Sequence, residues 1–505
     1  MVALALRTYV DHGIPPRRSE YTFGVNRRGG QSMKKTWLDR VLSLFTDVRP
    51  GEGATAFLML VNVFLLLVCY SVIKTAREPL ILLGGGAEVR SYAAAGQALT
   101  LMGFVPLYSW FARHINRGRL LVGVYLFFLV NIELFAAGVA ARVPFIGVAF
   151  YIWVGIFNMS LVAQFWAYAN DIYTKDVGDR LFPMIVVGQT AGAPLGAFIA
   201  GHLFGAHVST QAILQISAGL LVAGIFVFLL INGRVQQRVQ GDGRRLSGAG
   251  GFSLVWASPY LRAIALMMIL LNAVNTTGEY FVSHLVTAHA QTLAAADPRF
   301  DPGAYIGSFY GNYQFWVNVI ALILQAFVAS RLVKHRGLRG VVLALPLIAL
   351  GGYSMIAAGA SFALVRWIKT AENATDYSIM NTARQLLWLP TSPDEKYKAK
   401  QAIDAFFVRS GDVLSAALVF AGTVVLHLSI ARFALVNVGL VVAWIAVALV
   451  VLRRHDALVE PRPTAASRPV AALTPTAFKR MNVRLTIVWL WVSARIAGVY
   501  RQRTT

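Results

Sequence analysis

Apolar runs of about twenty residues or more recur along the chain, separated by short stretches rich in Arg, Lys and Gly. We read about twelve of them, at 57–83, 93–112, 120–140, 145–172, 182–205, 210–231, 260–288, 305–331, 340–360, 364–390, 402–427 and 431–452. Each is near the length of about 20 residues that a helix needs to cross a hydrocarbon core. The least apolar internal stretch, NGRVQQRVQGDGRRLSGAGG, lies between the sixth and seventh runs. The pattern predicts an all-α polytopic membrane protein of about twelve transmembrane helices in two six-helix halves. Its expected divisions are a cytoplasmic N-terminal arm with an amphipathic segment (1–56), a first half (57–232), a basic cytoplasmic linker (233–259), a second half (260–454) and a tail (455–505). The tail ends in RLTIVWLWVSARIAGVYRQR, whose apolar part is short for a span, so it reads as an interfacial helix.

Composition agrees with a membrane-embedded chain. Of 505 residues 57% are hydrophobic and 14% charged, with a mean hydropathy of +0.60, whereas soluble domains carry about 25% charged residues. The net charge of +23 would suggest nucleic acid on a soluble protein. Here the basic residues fall in alternate loops: Arg113, Arg117 and Arg119; Lys175 and Arg180; the central linker; Arg331, Lys334, Arg336 and Arg339; Lys396, Lys398 and Lys400. The other loops carry only Arg90, Arg142 and an Arg299 offset by Asp297 and Asp301. By the positive-inside rule both termini face the cytoplasm, and no nucleic-acid partner is expected. Residues 1–32 read as a disordered arm or an upstream extension, with Met33 opening MKKTWLDRVLSLF. The single Cys69 excludes an intrachain disulfide.

Within the apolar runs, a few positions are charged or amidic. The first, FLMLVNVFLLLVCYSVIKTAREPLILL, holds Lys74, Arg77 and Glu78, with Pro79 expected to kink the helix beside them. A buried Lys or Arg costs about 2.5–3.5 kcal/mol on insertion scales, so intramembrane charges mark function or pairing. The fourth run places Gln164, Tyr168 and Asp171 on one face, with Asn170 adjacent; the seventh places Asn272, Asn275 and Glu279 on one stripe. The eighth opens FYGNYQFW, and the tenth has Asn373, Tyr377, Met380 and Arg384 at helical spacing, with Glu372 and Asp376 nearby. Interhelical hydrogen bonds would explain Gln164, Asn272 and Asn275 equally well, and snorkelling near the outer interface would serve Lys369 and Glu372. Arg77 and Arg384, on separate halves, have the forked geometry that grips phosphate or carboxylate oxygens. Phe165, Trp166, Tyr280, Tyr313 and Trp388 are aromatic candidates for stacking on a planar ligand. The chain has no phosphate loop, no HExxH and no Cys/His metal cluster, so neither a motor, nor a cofactor, nor an enzymatic activity is expected.

At these residues the chain resembles the ATP/ADP carrier family of plastids and intracellular bacteria. YSVIKTAREPLIL (70–82) is similar to that family's first-helix segment, and FWAYANDIY (165–173) with KDVGDRLFPMIVVGQTAG to its fourth-helix end and loop. NAVNTTGEYF (272–281) is similar to its seventh-helix segment, and NTARQLLWLPTSPDEKYKAKQAID (381–404) to its tenth. Order and spacing match over about 60–455. The resemblance implies a major facilitator-like fold in a bacterial inner membrane. Arg77 and Arg384 stand where the family has Lys, and Glu279 matches its seventh-helix Glu; the early fourth-helix Glu has no counterpart in WVGIFNMS.

Together these readings predict a monomeric secondary transporter that moves an organic phosphate anion, a nucleotide by ATP/ADP-type exchange, with Lys74, Arg77, Glu78, Asn170, Asp171, Asn275, Glu279 and Arg384 forming the substrate site. A proton-coupled carrier of another substrate, titrating at Glu78, Asp171 or Glu279, is the first alternative. A non-transporting membrane scaffold is the second.

Overall fold

The computed structural model describes residues 35–43, 46–112, 117–235 and 250–459. The first 34 residues, most of the central linker and the tail from 460 lie outside the described residues, as do the expectations made for them.

A short helix α1 (Trp37–Leu42) opens on a capping box. Thr36 accepts from the Asp39 amide, and the Asp39 carboxylate accepts from the Thr36 amide at 2.9 Å. The same carboxylate also accepts from the amides of Gly51 and Gly53, tying α1 to the start of the next helix.

The long helices follow in order: α2 (Gly53–Ala112), α3 (Arg117–Ala140), α4 (Ile146–Ile172), α5 (Lys175–Gly205) and α6 (Thr210–Arg234). Then come a short α7 (Gly251–Ala257), α8 (Pro259–Ala296), α9 (Pro302–Ile323), α10 (Ala329–Ala357), α11 (Phe362–Thr375) and α12 (Asn381–Leu387). A three-residue α13 (Lys400–Ala402), α14 (Val408–Phe420) and α15 (Ile430–Val459) complete the described chain. Among the described residues nine stretches are long and apolar enough to cross a membrane. Two of them, of 52 and 56 residues, are hairpins broken by a single glycine at positive φ, Gly86 (74°) and Gly337 (60°). Only glycine takes that conformation without strain. Residues 362–387 add one further crossing, so the described residues make twelve.

Two predicted details differ. The loops between the first two spans and between the eighth and ninth are single-glycine turns. Pro79 does not break α2, whose only non-helical backbone is at Gly86.

Apolar packing forms two cores. One joins side chains of α1–α6, from Leu42 to Ile231; the other joins those of α7–α15, from Val255 to Leu452. The second core also takes in Ile81, Leu82, Ala87, Ala93, Ala94 and Tyr151, all at the Gly86 end of α2 and α4. At that same end α5 crosses α9 backbone to backbone: a Cβ on Gly311 would lie 2.3 Å from the Gly201 Cα. The two sets of helices are therefore sealed together at the Gly86 end.

Candidate functional site

The seal contains a buried ionic network. Glu78 bonds both Arg77 and Arg90, the latter Nε to Oε2 at 2.6 Å. A second Arg90 nitrogen lies 3.5 Å from Glu279 on α8. Glu279 also accepts from the Tyr313 hydroxyl at 3.0 Å and the Asn373 amide at 2.7 Å, and Asn373 donates to Tyr313 at 2.7 Å. The Arg77 guanidinium sits 4.0 Å above the Tyr151 ring. Six segments thus meet through charge, hydrogen bonds and a stacked aromatic: both arms of α2, α4, α8, α9 and α11.

One turn before Arg77, Lys74 faces the interior. Its ammonium donates to the neutral Gln314 at 3.1 Å, and no carboxylate among the described residues pairs with it. The group holds three cations, Lys74, Arg77 and Arg90, against two carboxylates, Glu78 and Glu279. Beyond it the interior is partly open. Tyr70 and Lys74 on α2, and Asn272, Asn275, Thr276 and Glu279 on α8, are half-buried; Tyr377 and Asn381 are exposed.

Behind this surface lies a second cluster. The Lys369 ammonium, 0% exposed, pairs with Glu372 at 3.0 Å and donates to the Asn275 side-chain oxygen at 2.9 Å. The Tyr353 hydroxyl donates to Glu372 at 2.8 Å. The expectation that Lys369 and Glu372 snorkel at the interface is therefore corrected: both are enclosed by helices. Asn272 and Thr276 donate to Asp412 at 2.8 and 2.7 Å.

The predicted site residues separate. Lys74, Arg77, Glu78 and Glu279 come together, and Asn275 stands beside them as a partner of Lys369. Asn170 and Asp171 do not join them. They end α4, whose Tyr151 touches Arg77, and 20 residues of helix set them about 30 Å further along. Arg384 pairs with Asp376 at 2.9 Å in its own segment. It lies seven residues, about 10 Å, past Tyr377. The predicted stacking aromatics are packed instead: Phe165, Tyr280, Tyr313 and Trp388 are buried, and Trp166 donates to Gln189.

The stripe on the tenth span is also re-registered. Residues Asp376–Met380 form a π-type turn in which the Asn381 amide reaches back five residues to the Asp376 carbonyl. The exposed line runs through Tyr377, Asn381 and Gln385, four residues apart, and Met380 is buried. Arg90 was missed because it reads as a loop charge. The single-glycine turn puts it one helical turn into the return arm, where it is 5% exposed.

Fold and site define a polytopic all-α membrane protein with a charged interior between two sets of helices. No family model matches the chain. Solved structures share the architecture. The nucleoside transporter NupG superposes with a TM-score of 0.56 at 13% identity, covering 81% of this chain and 100% of that one. The POT family transporter PepTSo gives 0.58 at 11%, covering 80% and 98%, and a bacterial homologue of the iron transporter ferroportin gives 0.56 at 14%, covering 79% and 98%. At such identities the likeness is one of fold.

Sequence relatives are more specific. The ADP,ATP carrier protein 1 of Chlamydia pneumoniae is 20% identical over 307 residues, 52% of this chain and 58% of that protein. Its namesake in Chlamydia trachomatis serovar D is 24% identical over 187 residues, 33% of this chain and 34% of that protein. The chain is thus similar to ADP,ATP carrier proteins over part of their length, 58% of one and 34% of the other.

Proposed function

We propose that the protein is a secondary transporter that moves an organic phosphate anion, of the nucleotide kind, by alternating access in a major facilitator-like frame. The observation that carries this reading is Lys74: an interior ammonium with a neutral amide partner and no carboxylate, in a cluster with one more cation than anion. An ammonium so placed is stabilised by an arriving anion. At an effective dielectric of about 20, two unit charges 4 Å apart attract by about 4 kcal/mol. Arg77 and Arg90 are committed to Glu78 and Glu279, so they hold the Gly86 end shut and shape the field, whereas Lys74 meets the substrate. Arg384 and Asp376 stand nearer the opposite end, on the path to the site. With basic loops on the cytoplasmic side, the conformation described is closed outward and accessible from within. The relation to ADP,ATP carrier proteins supports exchange of nucleotides in particular.

The test is binding of ATP and ADP to the detergent-purified protein by calorimetry. Lys74→Gln should weaken affinity at least tenfold while Lys74→Arg restores most of it, because one charge–charge contact is worth more than the 1.4 kcal/mol that sets a tenfold change. Affinity unchanged in Lys74→Gln would remove Lys74 from the site.

A further inference from the structure

Every other interior tyrosine around the ionic network is engaged. Tyr313 donates to Glu279, Tyr353 to Glu372 and Tyr280 to Glu88; Tyr310 bonds Ser283; and Tyr151 lies under Arg77. Tyr70 and Tyr377 differ. Among the described residues neither hydroxyl has a hydrogen-bond partner and neither ring stacks on another. Tyr377 is 45% exposed in the π-type turn Asp376–Met380, whose four other residues are buried. The charged and phenolic groups that act on it are Glu279, Asp376, Tyr70 and Arg77, so its exposed face looks into the interior and not to lipid. Tyr70 in turn lies within electrostatic reach of Arg77, Tyr151, Arg409 and Glu78. It precedes Lys74 by one helical turn, about 6 Å along the axis, on the same face. Two unpartnered rings thus approach one another's neighbourhood from opposite halves, one turn from the unpaired ammonium, without closing on each other.

We infer that Tyr70 and Tyr377 are the walls that receive a planar ring of the ligand, while Lys74 takes its anionic group. The ligand class is then an anion carrying an aromatic or heteroaromatic ring, as opposed to a bare phosphate or a sugar phosphate. This rests on the reading of Lys74 as the anion contact and adds ring recognition to it.

The test uses the full-length protein in detergent, with labelled ATP as ligand and unlabelled ATP or pyrophosphate as competitor. Stacking of a base on an aromatic side chain is lost on alanine substitution, which converts to roughly 5- to 150-fold in affinity. Tyr377→Ala and Tyr70→Ala should weaken ATP by that factor and leave pyrophosphate unchanged, whereas Tyr377→Phe and Tyr377→Trp should bind ATP as the wild type does. If an alanine variant fails to run as a single species, Tyr377→Leu against Tyr377→Phe makes the same comparison. Wild-type ATP affinity in the alanine or leucine variants, or an equal loss for ATP and pyrophosphate, would overturn the ring site alone. A wild type that binds neither competitor would overturn the anion reading, and the ring site with it.

Discussion

Replacing Lys369 by Met is a stringent probe of how the second half is held together. The ammonium is fully enclosed and contacts Glu372 at 3.0 Å, Asn275 at 2.9 Å and the Tyr353 oxygen at 3.4 Å. Methionine fills a similar volume, so the loss is electrical. Glu372, also buried, is left with the single Tyr353 hydroxyl as donor. Removing one member of a buried ion pair costs about 3–5 kcal/mol, because the other charge remains desolvated and uncompensated. That corresponds to roughly two to four orders of magnitude in the folding equilibrium. Glu372→Gln in the same chain removes the stranded charge, and the double variant should recover most of the loss. The assay is thermal unfolding of the detergent-purified protein for the wild type, both single variants and the double variant, read as a double-mutant cycle. A Lys369→Met protein as stable as wild type would refute the reasoning, and so would a double variant less stable than Lys369→Met alone.

Three further outcomes follow from particular contacts. Gly311→Val should destabilise by about 1–3 kcal/mol in the same unfolding assay, since its Cβ would meet the Gly201 backbone at 2.3 Å; Gly205→Ala, which meets only the Ser308 hydroxyl at 3.5 Å, should be neutral. Arg90→Ala unlinks Glu78 from Glu279, so the Gly86 end should open more often. A Ser283→Cys reporter in a Cys69→Ser background should then react faster with an impermeant maleimide, about tenfold for each 1.4 kcal/mol of lost closure, and an unchanged rate would contradict the latch. Burial pushes the Asp39 carboxyl up, but hydrogen bonds from Thr36, Gly51 and Gly53 outweigh it and hold its pKa below the ordinary 3.8. Its stabilisation is therefore present above 3.8 and lost as pH falls through the lower folded value. The wild type should lose more thermal stability than Asp39→Asn on that descent, and parallel curves would exclude the effect.

Much of the fold was legible because lipid leaves few options: long apolar runs must be helices, and their number and spacing give the crossings. The charges of the first span were equally visible, since Lys74, Arg77 and Glu78 interrupt an apolar stretch. What sequence did not carry was three-dimensional register. A hairpin at one glycine turned Arg90 from a loop charge into the centre of a network. On the tenth span both Met380 and Asn381 follow Tyr377 at helical spacing, and only packing decides that Asn381 is the exposed one. Helical periodicity groups Asp171 with Gln164 and Tyr168 but carries no depth, and 20 residues of helix separate that turn from Tyr151. Lys369 and Glu372 looked like interface charges because pairing with Tyr353 and Asn275 joins residues distant in sequence.

The central claim, an anion exchanged through an interior ammonium, is tested most directly by counterflow. Proteoliposomes containing the wild type or Lys74→Gln are loaded with ATP, ADP or buffer, and entry of labelled ATP is followed. The account predicts accumulation by the wild type only when a nucleotide is inside, and loss of that accumulation in Lys74→Gln with the protein still folded in the bilayer. Entry equal in the two proteins, or no entry by the wild type under any loading, would contradict it.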